Sequence, residues 1–242
     1  MPSTVTNQSS APIAEAAVVI VTNLVKQFGR FAALRGVSAS FASGRMYAIL
    51  GDNGAGKTTL LRLLAGLASP SRGTISMLGS EDLCSICAQV GYMAHPSLLY
   101  DEMTGLENLR YFAQLYGIRG DDRCREAIAF VGLDPDLPRT VGQYSQGMRQ
   151  RASLARVLQA DPELLLLDEP FSNLDVESSR RMVELLRDFR TWPLQGTSVQ
   201  RSRTIILTTH QAHLAEPLAD ATVTMRAGAV LSIAGKGVYP SA

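Results

Sequence analysis

The chain has 242 residues, of which 46% are apolar and 19% charged, and its formal net charge is +1. That composition fits one large globular domain, or one domain with an inserted subdomain, and gives no electrostatic reason to expect nucleic acid or acidic lipid as a partner. No apolar run approaches the roughly 18 residues needed to cross a membrane, and three cysteines form no disulfide framework.

Residues 1–17 are rich in Ser, Thr, Ala and Pro and lack both a basic n-region and a continuous apolar h-region. They read as a mobile tail rather than a signal peptide, with the protein retained in the cytoplasm. Residues 18–242 read as a single domain. Val18–Val21 suggests a first strand, followed by segments at Asn23–Gly29, Phe31–Val37 and Ser38–Phe41. Short strands joined by glycine turns predict an antiparallel β layer ahead of an α/β core.

The apolar run Met46–Leu50 then feeds Gly51-Asp52-Asn53-Gly54-Ala55-Gly56-Lys57-Thr58, and helical spacing starts at Thr59. Strand, glycine loop and helix together are the context of a phosphate site. Glycines let several backbone N–H groups converge on one anion, and the helix N-terminus adds its positive dipole end. Lys57 can reach the outer phosphates, and the Thr58 hydroxyl can ligate Mg²⁺.

Thr74–Leu78 and Gln89–Met93 alternate as strands. Cys84 and Cys87 form a C-x-x-C with no further Cys or His nearby to complete a zinc site; they and Cys124 read as small buried fillers. From about 96 to 150 the pattern turns helical, with Thr104 and either Asp121 or Asp122 as caps, so a helical subdomain is inserted in the core. The first of its helices carries Leu106, Leu109, Tyr111 and Phe112, with Leu115 further along. Ser145 caps a helix through Leu158. Leu164–Leu167 is a strand buried on both faces, and it ends in Asp168-Glu169-Pro170. Carboxylates at the C-terminal end of a core strand sit where ligands collect in open parallel sheets. Glu177–Arg190 is a helix, Thr191–Ser202 a polar loop, and Thr204–Thr208 a buried strand with His210 just beyond it. Two short strands, Thr222–Met225 and Val230–Ile233, close the pattern.

The residues allow phosphate gripping by Lys57, metal holding by Thr58 and Asp168, water polarisation by Glu169, and a structural or γ-phosphate role for His210. The order of Gly51–Thr58, Ser145–Met148, Leu164–Glu169, Ser172–Asp175 and His210 resembles the ATPase subunit of ABC transporters, over about Val18 to Ile233. The resemblance implies a P-loop α/β fold, ATP with Mg²⁺, and a head-to-tail homodimer on the cytoplasmic face of the cell membrane beneath a separate integral permease. It also implies roles. Phe28 stacks on adenine, Gly51–Thr58 with Thr59 holds phosphate, Glu169 is the base, and His210 attends the γ-phosphate. Ser145, Gln146, Gly147 and Met148 contact the nucleotide of the other copy, and Asp175 lies on the dimer seam.

Two departures stand out. His95 occupies the position of the family's Q-loop glutamine, and the signature carries Gln146 and Met148 where glycine and glutamine are common. A Q-loop histidine with a Tyr-Ser-x-Gly-Met signature in a single-domain chain looks like the haem-exporter ATPase of bacterial cytochrome c maturation. A multidrug or lipid exporter ATPase is the alternative, and a soluble non-transport ABC ATPase is the alternative from another class.

Overall fold

Alternation and turn chemistry place the strands where the periodicity predicts, most with shifted bounds. The computed structural model describes residues 17–191 and 203–239; residues 1–16, the Trp192–Ser202 part of the polar loop, and residues 240–242 lie outside the described residues. The first hairpin is β1 (Ala17–Phe28) with β2 (Phe31–Ala42), paired antiparallel. The segments at 18–21 and 23–29 are therefore one strand. Asn23, at φ 49°, sits in a bulge where the register shifts, and its N–H donates to Ser38 Oγ at 2.8 Å, so the chain bends there without breaking.

β3 (Met46–Leu50) leads through the glycine loop into α1 (Lys57–Leu64); β4 (Arg72–Met77) returns to β1. β5 (Val90–Met93) precedes the helical segment, which comprises α2 (Gly105–Leu115), α3 (Asp122–Phe130) and the start of α4 (Gln146–Leu158). β6 (Leu164–Asp168), α5 (Val176–Phe189), β7 (Thr204–Thr209), α6 (Ala212–Ala215), β8 (Ala221–Arg226) and β9 (Ala229–Gly235) follow. A two-residue strand, β10 (Val238–Tyr239), goes unseen in the sequence pattern because two residues show no period; it pairs with β2.

The strands form two sheets. One is antiparallel, in the order β10-β2-β1-β4; the other runs β5-β6-β7-β3-β8-β9 and is parallel except for β9. This is the expected antiparallel layer beside a parallel α/β core. The four leucines of β6 are buried because both faces of the sheet are covered. Leu165 and Leu167 face the cluster built with α2–α5, while Leu164 and Leu166 face the cluster built with α1 and the antiparallel sheet. Burying each such side chain contributes about 1.5–3 kcal/mol.

Caps explain the helix starts. Thr104 Oγ1 accepts from Glu107 N at 3.2 Å, and Glu107 Oε2 accepts from Thr104 N at 2.8 Å, a reciprocal capping box on α2. α2 carries Leu106, Leu109, Tyr111, Phe112 and Leu115 as the pattern predicts, with Leu106, Leu109 and Ala113 buried and Tyr111 and Leu115 exposed. Two expectations need correction. Asp121 precedes α3 but makes no side-chain cap, because its carboxylate is taken by Arg110. Cys84 and Cys87 are exposed, lying in a surface turn ahead of β5; only Cys124 is a buried filler, with Sγ 3.2 Å from Gln159 Oε1.

Candidate active site

The C-terminal ends of β3, β6 and β7 bring three segments together that are far apart in the chain. At the end of β3, Gly51 has φ 151°, and a Cβ there would lie 2.3 Å from Met225 O; at Gly56, φ 101°, a Cβ would lie 2.7 Å from Ala33 O. Both positions need glycine because β2 and β8 press against the loop. The loop closes with Ala55 N donating to Asp52 O at 3.1 Å, and Gly228 N to Ala55 O at 3.0 Å.

Lys57 is 5% exposed and its ammonium points back across the loop, 2.7 Å from Gly51 O and 3.3 Å from Asp52 O. It also faces Glu169 Oε1 at 3.3 Å. Asp168 is 1% exposed at the end of β6. Its Oδ1 accepts from Thr58 Oγ1 at 2.9 Å and from Thr208 Oγ1 at 2.8 Å, and its Oδ2 faces the Tyr92 hydroxyl at 3.5 Å. Burial, followed by the neighbouring Asp168 carboxylate, pushes the Tyr92 phenol above its ordinary value, with Arg62 opposing.

Glu169 breaks from the strand at φ 50°, a left-handed conformation that costs a non-glycine residue about 1–3 kcal/mol. Its N–H donates to Thr208 O at 3.0 Å, which anchors the turn, and its carboxylate reaches His210 Nδ1 at 3.0 Å. One cavity of about 320 Å³ is lined by Asn53–Thr59, His95, Glu169, Phe31 and Ala33. A hydroxyl and a carboxylate meeting beside it are hard oxygen donors, which suits Mg²⁺ and not a soft metal. Among the described residues no group of three or more His, Cys, Asp or Glu gathers that could hold a metal ion.

Not every residue singled out in the sequence faces this cavity. Phe28 is exposed at the hairpin tip, with Lys26 Nζ 5.0 Å from its ring centroid. The aromatic lining the cavity is its cross-strand partner Phe31. Ser145 and Gln146 are exposed and Gly147 is buried; Ser145 Oγ accepts from Met148 N at 3.2 Å as the cap of α4. A Cβ on Gly147 would lie 2.4 Å from Ser178 Oγ, so α4 packs close against α5 at this glycine. Asp175 caps α5, accepting from Ser178 N at 2.7 Å, and the Ser178 backbone N–H holds its carboxyl below the ordinary value.

A second cleft of about 420 Å³ is lined by His95, Gln146, Arg149, Gln150, Ser172 and Asn173, among others. His95 therefore borders both cavities. Sequence reasoning missed Tyr92, Thr208, Arg62 and Phe31. Thr208 stands beside Asp168 because β6 and β7 run parallel in that register, which strand lengths in the sequence do not give.

Residues 34–172 match the family model described as ABC transporter. The chain is 34% identical to the ABC transporter ATP-binding protein NatA of Bacillus subtilis (strain 168), over 82% of this chain and 80% of that protein. It is 37% identical to the sulfate/thiosulfate import ATP-binding protein CysA 2 of Rhizobium meliloti (strain 1021), over 88% of this chain but only 58% of the relative's length. In fold it is similar to the dimeric post-hydrolysis structure of the ATP-binding cassette MJ0796 bound to ADP and Pi, with a TM-score of 0.76, 23% identity, and coverage of 90% of this chain and 98% of that one.

Proposed function

The chain belongs to the ABC transporter ATP-binding family, and from that premise we propose that it binds ATP at the glycine-loop cavity, hydrolyses it, and drives transport through a separate membrane permease. The observation that carries this reading is the convergence of Lys57, Thr58, Asp168, Glu169 and His210 at the ends of three core strands.

Each residue has a part. Lys57 and the loop N–H groups hold the outer phosphates. Thr58 and Asp168 hold Mg²⁺, which when bound neutralises charge on the β- and γ-phosphates. Glu169 polarises the attacking water, and His210 fixes the direction of its carboxylate. Phe28, next to Phe31 on the hairpin, offers its ring to adenine.

In a head-to-tail homodimer, Ser145–Met148 of one copy face the nucleotide of the other and Asp175 lies near the seam. The exposed hydroxyl of Ser145 at a helix N-terminus supports this, because that group and the helix dipole both favour an anion. Among the described residues no helix is long and apolar enough to cross a membrane. Exposed Leu98, Tyr100, Tyr111 and Tyr116 on and around the helical segment offer an apolar surface to the permease. The protein then works peripherally, on the cytoplasmic face of the membrane, and without nucleic acid.

The cargo reading is haem export for cytochrome c biogenesis, supported by His95 and by the Tyr144-Ser145-Gln146-Gly147-Met148 signature; a multidrug or lipid exporter is the alternative. Affinity purification from detergent-solubilised membranes tests the coupling. A multi-spanning protein should co-purify and stimulate ATP hydrolysis, whereas full ATP-driven function with no membrane partner contradicts the proposal. Loss of haem-stained c-type cytochromes in a deletion strain supports the haem reading, and unchanged staining overturns it.

A further inference from the structure

We propose that Tyr92 is a positioning residue for the metal-holding carboxylate, its hydroxyl fixing the second oxygen of Asp168. The inference rests on the reading of Asp168 as a metal holder.

Asp168 is buried, so each of its oxygens needs a donor; an unpartnered one would carry a desolvation cost. Oδ1 has two hydroxyls, Thr58 Oγ1 and Thr208 Oγ1. When Thr58 turns to the metal, Thr208 still holds Oδ1. Oδ2 has one hydroxyl facing it among the described residues, that of Tyr92 at 3.5 Å.

This pairing sets the direction of the proton. A carboxylate only accepts, so the phenol donates to Asp168 Oδ2. The Tyr92 backbone is fixed as well. Its carbonyl accepts from Arg156 Nη2 at 3.0 Å, and Arg156 is 5% exposed and lies over the Phe112 ring at 4.8 Å. Tyr92 is thus gripped by α4 through its main chain and by β6 through its side chain. At 3.5 Å the bond to Oδ2 is long, so losing it should weaken metal affinity without unfolding the core.

The test measures Mn²⁺ binding to the nucleotide-bound protein by electron paramagnetic resonance, with fluorescent-ATP affinity in EDTA as the control for folding. Tyr92→Phe should weaken Mn²⁺ about tenfold, as loss of a group supporting a metal ligand does, and leave affinity in EDTA unchanged. Wild-type Mn²⁺ affinity in Tyr92→Phe overturns the proposal. Asp168→Asn separates the two readings. If it weakens Mn²⁺ while Tyr92→Phe does not, the role of Tyr92 fails alone; if it leaves Mn²⁺ unchanged, the metal reading of Asp168 fails with it.

Discussion

His210 Nδ1 lies 3.0 Å from Oε2 of Glu169, joining the residue after β7 to the residue after β6. Glu169 reaches this position only because its backbone turns to φ 50°, which swings its carboxylate away from the sheet and toward Lys57. The carboxylate is therefore held from two sides, by an imidazole and by an ammonium 3.3 Å from Oε1.

Removing one of those holds should affect turnover more than binding. His210→Ala should lower kcat by at least about tenfold, within the range that a positioned base contributes, with KM for ATP nearly unchanged. Steady-state ATPase kinetics check this. Unaltered kcat would mean that Glu169 is oriented without His210.

Gly51 tests the loop. A Cβ 2.3 Å from Met225 O forces β3 and β8 apart. Gly51→Ala should cost about 1–3 kcal/mol of stability and abolish fluorescent-ATP binding. Thermal melts and a nucleotide titration measure the two effects. Wild-type values in both would show that the loop does not need its close approach to β8.

The two hairpin aromatics are separable. Phe28→Ala should weaken ATP by the roughly 1–3 kcal/mol that stacking on a base provides, and leave tripolyphosphate binding unchanged. Competition titrations with both ligands decide the matter. If Phe31→Ala carries the larger loss instead, the cavity-lining ring is the one that meets adenine.

Much of this architecture was legible in the residues, and the rest was hidden for physical reasons. The leucine run at 164–167 announced a doubly buried strand, because apolar residues at consecutive positions leave neither face for water. Thr104 and Ser145 announced their helices, because caps act locally. Asp121 misled, since a residue 11 positions earlier, Arg110, competes for its carboxylate. Cys84 and Cys87 misled as fillers, since burial is decided by what packs over a turn and not by residue type. The cage around Asp168 draws Tyr92 and Thr208 from two other strands, and such pairings need the register of the sheet.

Asp175 supplies a pH-dependent test. Its carboxyl is held below the ordinary 3.8 by the N–H of Ser178. A depressed folded-state pKa means that the cap stabilises α5 above the unfolded value and is lost as pH falls through the folded one. The melting-temperature gap between wild type and Asp175→Ala should therefore be widest near neutral pH and close as pH falls below about 3.8. A gap that stays constant with pH would show that the carboxylate is not the stabilising form.

Glu169 is proposed as the base of an ATPase site completed by a second copy of the chain. Glu169→Gln keeps the shape and removes the charge. Sedimentation velocity with ATP and Mg²⁺, run beside a phosphate-release assay, measures both halves of the claim at once. The account predicts an ATP-dependent shift from monomer to dimer, with turnover down by at least about a hundredfold. A variant that hydrolyses ATP at the wild-type rate, or that stays monomeric when saturated with ATP, would contradict it.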